Sequence, residues 1–186
     1  MLKLLKAENG MNIIGQGARI ILFTVPAVVG AVMAQLYVPE LVQIPLPGSI
    51  SIPLGIALLV PGVALWLAAM AQLLLGFSRG KLVTECAYSV CRNPIYSSFV
   101  FFILPGISLA SGTWVYLAVA GVLGLGVVIF IRKEERDLLR VFGDEYQRYT
   151  LRVRRLLPLG PRRANAREES KVPTAGGAKV GESKGR

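Results

Sequence analysis

The sequence contains no histidine, and only two of its 186 residues are cysteine. Histidine is the commonest general base near neutral pH and a common metal ligand, so chemistry that depends on an imidazole is excluded. Cys86 and Cys91 alone cannot complete a structural zinc site, and a cytoplasmic position disfavours a disulfide between them. We therefore expect two ordinary thiols and no metal site.

Acidic residues are scarce as well. The chain has 11 Asp and Glu against 21 Lys and Arg, a net charge of +10, and 15 of those 21 basic residues follow Ile131. A basic region can bind nucleic acid, but beside long apolar segments it is more typical of contact with anionic lipid headgroups. We predict an anionic membrane surface as a partner, and no nucleic acid.

What the chain has in abundance is apolar sequence, since 53% of its residues are hydrophobic. A multi-spanning membrane protein is the class that this composition favours, because a span needs about 20 apolar residues. Pro61-Gly62 predicts a kink or tilt in one long segment, and Ser111-Gly112-Thr113 predicts a tight hairpin between the last two. Four segments are predicted, at about Ile20–Val38, Ile50–Phe77, Tyr96–Ala110 and Trp114–Ile131.

Charges between the segments predict the orientation. The loop after the first segment carries only Glu40, and the hairpin turn carries no charge. Basic residues precede the first segment or lie between the second and third: Lys3, Lys6, Arg19, Arg79, Lys81 and Arg92. Both termini and the loop 78–96 are therefore expected in the cytoplasm. A signal peptide cleaved after Val32-Met33-Ala34 is the alternative for the first segment.

After Ile131 the pattern becomes that of amphipathic helices. Glu135 falls on the same helical face as Ile131 and Phe142, so a carboxylate stands in an apolar stripe. Gly143 is a natural helix end and Asp144 a natural start for the next helix. A second helix is predicted to continue past Tyr149 and to turn arginines toward lipid headgroups: Arg148, Arg152 and Arg155.

The predicted fold is therefore all-α and polytopic, with about four transmembrane helices followed by C-terminal amphipathic helices at the membrane interface. The domain is expected to cover residues 1–158. Residues 159–186 have almost no large apolar side chains, so we predict a basic disordered tail there.

Five polar or aromatic residues could carry chemistry, and each has two interpretations. Glu135 fits an ion pair with Arg92, or a contact with the hydroxyls or ammonium group of a ligand. Glu134 lies about 100° away and fits a solvated charge or the same kind of contact. Arg92 fits a membrane anchor or a fork for a carboxylate or phosphate. Tyr88 and Tyr96 fit interface aromatics, or walls for an adenine or a cation.

Two motifs combine these residues. Tyr88-Ser89-Val90-Cys91-Arg92-Asn93-Pro94-Ile95-Tyr96 precedes the third segment. Glu134-Glu135-x-x-Leu138 and then Phe142-Gly143-x-Glu145-Tyr146-x-x-Tyr149 follow the fourth. In this order and at this separation, the chain from about residue 80 to residue 158 resembles the isoprenylcysteine carboxyl methyltransferase and phospholipid methyltransferase superfamily of integral membrane enzymes. Cys86-Ala87 replaces the family's Gly-Pro.

The resemblance implies methyl transfer from S-adenosylmethionine to a lipid or lipophilic acceptor, a carboxylate or an amine, that enters from the bilayer. The Asn93 form of the motif implies a prokaryotic cytoplasmic membrane. Catalytic roles are implied for Arg92, Tyr96 and Glu135. The residues implied in donor binding are Tyr88, Arg92, Asn93, Pro94, Tyr96, Glu134, Glu135, Tyr146 and Tyr149. Methyl transfer can depend on positioning and desolvation, so the lack of histidine is compatible with it.

Two other functions stay open. Membrane reductases that use a dinucleotide have a similar C-terminal architecture, although their chains are usually longer. A non-catalytic scaffold or small transporter is the other alternative, but a transporter would place charges inside its spans, and the second to fourth segments contain none. The acceptor, the general base and the oligomeric state are not determined by the sequence.

Overall fold

The computed structural model describes residues 15–78 and 84–158, and every regular element in these two ranges is a helix. The elements are α1 (Gly15–Tyr37), α2 (Pro39–Val42), α3 (Gly48–Ser78), α4 (Ala87–Val90), α5 (Pro94–Ser98), a π-helical turn (Phe99–Ile103), α6 (Leu104–Ser111) and α7 (Val115–Arg152). The predicted all-α fold is confirmed. The predicted tail, 159–186, and the basic residues Lys3, Lys6, Arg79 and Lys81 lie outside the described residues.

Four stretches are long and apolar enough to cross a membrane: Gly17–Tyr37, Gly48–Gly76, Pro94–Ser111 and Val115–Arg152. They correspond to the four predicted segments, the third being built from α5, the π-helical turn and α6. Large apolar side chains cover much of their outer surface, as expected of helices that face lipid. α3 continues through Pro53 and Pro61 as one helix of 31 residues. At 1.5 Å per residue it is about 46 Å long, more than a bilayer core of about 30 Å.

The helices pack as a chain of neighbours in which α7 is central. α1 packs along α7, α6 packs on α7 as well, and α3 packs along the third span. The core between α1 and α7 is formed by Ile20, Leu123, Val127 and Ile131. Tyr96 from α5 and Leu156 from the C-terminal segment pack against this core. The first and last spans therefore support the end of the bundle where both sequence motifs lie.

α3 and α6 approach each other backbone to backbone. A Cβ atom on Gly55 would lie 2.6 Å from the Ala110 amide nitrogen and 2.7 Å from the Gly106 carbonyl oxygen. Real Cβ atoms do not approach backbone atoms so closely, so only hydrogen fits at this position. Small residues at such a crossing let two membrane helices pack closely.

The third and fourth spans form the predicted hairpin. Gly112 ends α6 with φ 68°, the left-handed conformation that glycine adopts without strain. The loop after α2 is tied to this turn, since the Ile44 amide donates to the Gly112 carbonyl (2.8 Å) and the Trp114 amide to the Val42 carbonyl (3.0 Å). These bonds close the end of the bundle opposite the two motifs.

α7 is broken at Gly143, where φ is 50° and ψ is −126°. The predicted helix end at this glycine is therefore confirmed. The break divides α7 into a long arm, residues 115–142, and a short arm, residues 144–152. The predicted continuation of the second helix past residue 152 is wrong, because Val153 is extended (φ −117°, ψ 134°) and ends the helix. The chain then runs back toward the long arm.

Candidate active site

Glu135 is held by two arginines at the end of the bundle. Its Oε1 atom lies 3.2 Å from Nη1 of Arg92 and accepts a hydrogen bond of 3.0 Å from Nε of Arg155. Its Oε2 atom accepts a second bond from Arg155, at 2.5 Å from Nη2. The Glu135 and Arg92 side chains are only 13% and 14% exposed, so water screens this cluster weakly. The structure thus brings together Arg92 of the first motif and Glu135 of the second.

The break at Gly143 makes this arrangement possible. Residues 135 and 155 would lie about 30 Å apart along an unbroken helix, at 1.5 Å per residue. The positive φ of Gly143 turns the short arm away from the long-arm axis, and the extended Val153 then turns the chain back. Arg155 therefore forms a bidentate pair with Glu135 rather than facing lipid headgroups as the sequence predicted.

Three hydrogen bonds to main-chain carbonyls join the first motif to the C-terminal residues. The Arg92 amide donates to the Arg154 carbonyl at 2.8 Å, and the Asn93 side-chain amide donates to the Arg155 carbonyl at 3.0 Å. The Tyr149 hydroxyl donates to the Tyr88 carbonyl at 2.6 Å. Residues 88–93, called the motif loop below, are thus fixed against the segment that carries Arg155.

Two of the predicted aromatic residues lie on the short arm and face the long arm. Tyr146 and Tyr149 are buried and form a small core with Val153, against which Leu138 and Phe142 pack. Their burial fixes the short arm on the long arm, and the Tyr149 hydroxyl remains directed at the motif loop. Pairs of aromatic rings at 6.1 Å, as here, add a modest stabilisation beyond the area they bury.

Tyr96 and Glu134 lie outside the Glu135 cluster. Tyr96 belongs to α5, whose first residue is the buried Pro94, and a Cβ on Gly17 of α1 would lie 3.2 Å from its hydroxyl oxygen. Glu134 is exposed on the long arm, and its charge acts on the phenol of Tyr88. The structure thus places Arg92 and Glu135 in one cluster, to which neither Tyr96 nor Glu134 contributes an ion pair or hydrogen bond among the described contacts.

Tyr88 and Cys91 stay neutral at neutral pH. Burial raises the pKa of the Tyr88 phenol above its ordinary value of 10.0, and the negative charge of Glu134 raises it further. Burial also raises the pKa of the Cys91 thiol. Neither group is therefore a good nucleophile or base. The described residues also contain no group of three or more His, Cys, Asp or Glu side chains that could hold a metal ion.

Cys86 has a backbone conformation that a side chain disfavours. Its φ is 50° and its ψ is −113°, and it is the only non-glycine residue with positive φ in the part of the chain that the structure describes. The family pattern has glycine at this position, which adopts positive φ without a penalty. The next residue is anchored on α3, since the Ala87 amide donates to Oε1 of Gln72 at 3.2 Å. Cys86, just before the motif loop, thus keeps the positive φ that glycine would adopt more easily.

We expect Cys86→Gly to raise the free energy of unfolding by about 1 kcal/mol, because it removes the steric cost of a Cβ at positive φ. Thermal unfolding in detergent measures the change. Cys86→Ala is the matched control, since it removes the thiol and keeps the Cβ. An equal gain in both variants would assign the effect to the thiol and contradict the strain argument.

A cleft of about 640 Å³ opens between the two arms of α7. It is lined by Arg92, Arg132, Glu135, Arg136, Leu139, Tyr146, Gln147, Thr150 and Arg155. The Nε atom of Arg92 is buried and has no hydrogen-bond partner. A buried donor without a partner is costly, so this atom suits an oxygen of a bound ligand.

Arg132 and Arg136 were not predicted as site residues, and Arg155 was predicted to face the lipid headgroups. One signal was available for the first two. Arg132 and Arg136 are four residues apart and flank Glu135, so they share a helical face close to that carboxylate. The position of Arg155 depends on the turn at Gly143 and could not be read from a helical pattern.

No family model matches the chain, and no solved structure shows a significant match to it. Two curated proteins are similar to part of it. Methanethiol S-methyltransferase 1 of Bradyrhizobium diazoefficiens is 36% identical over 78 residues, which is 42% of this chain and 26% of that protein. Methanethiol S-methyltransferase of Crocosphaera subtropica is 30% identical over 80 residues, which is 42% of this chain and 29% of that protein.

The matched stretch spans less than a third of the length of either relative. Both relatives belong to the group of enzymes that the two motifs resemble. The resemblance of this chain to the isoprenylcysteine carboxyl methyltransferase-like membrane methyltransferases is thereby confirmed for a stretch that covers 42% of the chain.

Proposed function

We propose that the protein transfers a methyl group from S-adenosylmethionine to a lipophilic acceptor that reaches the cleft from the bilayer. The observation that carries this proposal is the cluster of Arg92, Glu135 and Arg155, which joins both motifs beside a cleft of about 640 Å³. The methyltransferase names of the two relatives support the reaction class. We further propose, from the charges between the spans, that the cleft faces the cytoplasm of a prokaryotic cell.

The residues present fit the donor. Pockets of about 300–1,000 Å³ hold ligands of this size, and the cleft falls within that range. The unpartnered Nε of Arg92 suits the carboxylate of the methionyl group. Glu135 is occupied by two arginines, so its direct contact with the donor stays a prediction. A contact of Glu134 with the ribose or the ammonium group also stays a prediction, because Glu134 is not among the residues that line the cleft. Tyr146 forms one wall of the cleft.

S-adenosylmethionine supplies an activated methyl group on a sulfonium sulfur, so the protein's own contribution is binding, orientation and exclusion of water. The motif loop is held by main-chain bonds and by the ion pairs of Glu135, so Arg92 is oriented before a ligand arrives. Asn93 fixes the motif loop to the C-terminal segment through its bond to the Arg155 carbonyl. Tyr96, at the first turn of the third span, is proposed to position the acceptor.

The acceptor is proposed to enter where the long arm of α7 leaves the membrane. Ile131 is fully buried in the apolar core, and Arg132 and Glu135, which follow it, line the cleft. The cleft therefore begins at the boundary between hydrocarbon and water, within reach of a molecule dissolved in the bilayer. Lipids with a carboxylate or an amine fit this route, and so does a small thiol of the kind named for the relatives.

Ligand-dependent unfolding of the detergent-solubilised protein tests the function. Saturating S-adenosylhomocysteine, the reaction product, should raise the melting temperature, because a ligand that binds only the folded state adds about 2.7 kcal/mol at 100 times its Kd. NADPH is the matched control and should have no effect. Stabilisation by NADPH alone would favour a reductase, and stabilisation by neither would favour a scaffold or transporter.

A further inference from the structure

The charge that lines the cleft is strongly unbalanced. Four guanidinium groups reach it, Arg132 and Arg136 from the long arm, Arg92 from the motif loop and Arg155 from the C-terminal segment. Among the described residues that line it, Glu135 is the only acid, so the lining has an excess of three positive charges. Tyr146 is the only other titratable group among these lining residues, and Glu134 and Asp137 lie on the same arm outside the lining.

The methyl donor alone does not account for this excess of positive charge. S-adenosylmethionine carries one carboxylate against a sulfonium and an ammonium group, so its net charge is positive. Arg92 and Arg155 are compensated by Glu135, but Arg132 and Arg136 have no compensating acid in the lining. Two like charges four residues apart on a helix repel each other, and an anion between them removes the repulsion.

The described residues that line the cleft include no free base that could deprotonate an acceptor. The sequence contains no histidine, and both carboxylate oxygens of Glu135 are already engaged by Arg92 and Arg155. The phenol of Tyr88 and the thiol of Cys91 are kept neutral by burial. An acceptor that loses its proton to water and arrives as an anion needs no such base.

We infer that the acceptor reacts as an anion, a thiolate or a carboxylate, held beside Arg132 and Arg136, and that amines are poor acceptors. This inference rests on the proposed methyltransferase function and specifies its substrate class. The acceptor first releases its proton to bulk water. A lone pair of the anion then forms the bond to the methyl carbon, the bond between that carbon and the donor sulfur breaks, and its electron pair stays on the sulfur.

A set of acceptors with one chain length tests the inference. The full-length enzyme in lipid nanodiscs is incubated with methyl-labelled S-adenosylmethionine and, separately, with 1-hexanethiol, hexanoate or hexylamine at pH 9, where a fraction of the amine is neutral. We expect label in the thioether, in the methyl ester or in both, at a rate at least about tenfold above that of the amine. Label in the amine at an equal rate would overturn the inference.

Arginine variants test whether Arg132 and Arg136 are the groups that hold the anionic acceptor. Replacing both Arg132 and Arg136 with Gln should lower kcat/KM about tenfold for whichever of 1-hexanethiol and hexanoate is methylated. For the thiol, the midpoint of the rise of kcat with pH should move up by about one unit, because positive charge near a thiol lowers its pKa. Arg140→Gln is the control: Arg140 is exposed on the same helix, pairs with Asp137 and is absent from the cleft lining.

Binding of S-adenosylhomocysteine, measured in the same variants, separates the two proposals. An unchanged pH midpoint in the double variant, with the product still bound, would overturn the anionic acceptor alone. Label in none of the three acceptors, with the product still bound, would count against it as well. Loss of product binding by the unmodified enzyme would instead overturn the proposed methyltransferase function.

Discussion

Glu135→Gln is expected to abolish stabilisation by S-adenosylhomocysteine and to lower the melting temperature of the ligand-free protein by at least about 5 °C. The substitution removes the charge that compensates Arg92 and Arg155; the Glu135 and Arg92 side chains are 13% and 14% exposed and that of Arg155 is 34% exposed. Breaking a buried ion pair from one side costs about 3–5 kcal/mol. Because Arg155 is 34% exposed, we expect a loss of about 2–4 kcal/mol here.

Differential scanning fluorimetry with and without the product measures both effects. Glu145→Gln is the matched control, because Glu145 is an exposed acid on the same helix, and its replacement should change the melting temperature by less than about 1 °C. Arg155→Gln added to Glu135→Gln should cost less than the sum of the two, since it removes one of the uncompensated charges. Strict additivity would show that the three side chains do not act as one cluster.

Gly55→Ala is the second large effect and should prevent normal packing of α3 on the third span. Its new Cβ would lie 2.6 Å and 2.7 Å from backbone atoms of Ala110 and Gly106, which no side-chain rotation can relieve. Overpacking in a tight core costs about 1–3 kcal/mol, and we expect the upper end because backbone must move. The third span carries Tyr96 and follows the motif loop, so product binding should weaken as well.

Two glycines with open surroundings serve as controls. A Cβ on Gly30 of α1 or on Gly121 of α7 would have no heavy atom within 4 Å. Gly30→Ala and Gly121→Ala should therefore leave the melting temperature unchanged or slightly raised, since alanine is favoured in a helix interior by about 1 kcal/mol. If all three variants behave alike, helix propensity and not the close crossing governs stability at Gly55.

Much of the architecture could be predicted because apolar length is a local property. The four spans, the hairpin at Gly112 and the helix end at Gly143 follow from runs of apolar residues and from glycines that adopt positive φ. The packing of α1 along α7 could not be predicted in this way. α1 and residues 115–131 of α7 are apolar around most of their surface, so no polar face shows which side meets the partner.

Part of the candidate site could be predicted from helical periodicity and part of it could not. The ion pair of Arg92 with Glu135 was one of the two interpretations open for these residues, and the structure contains it. Arg155 was placed on a continued helix because Tyr146, Tyr149 and Val153 share a helical spacing. They do form one cluster, but Val153 is extended and redirects the next residues toward Glu135. A periodic pattern gives a face and cannot give the direction of the chain after a helix ends.

The bonds between the motif loop and the C-terminal segment have a consequence for how the site tolerates mutation. The carbonyls of Tyr88, Arg154 and Arg155 are the acceptors, and the Arg92 donor is a backbone amide as well. Substitution of Tyr88 or Arg154 therefore leaves these bonds intact, whereas Asn93 and Tyr149 donate from side chains. Tyr88 and Arg154 can thus be replaced while all three bonds are kept, whereas a change at Asn93 or Tyr149 removes one of them.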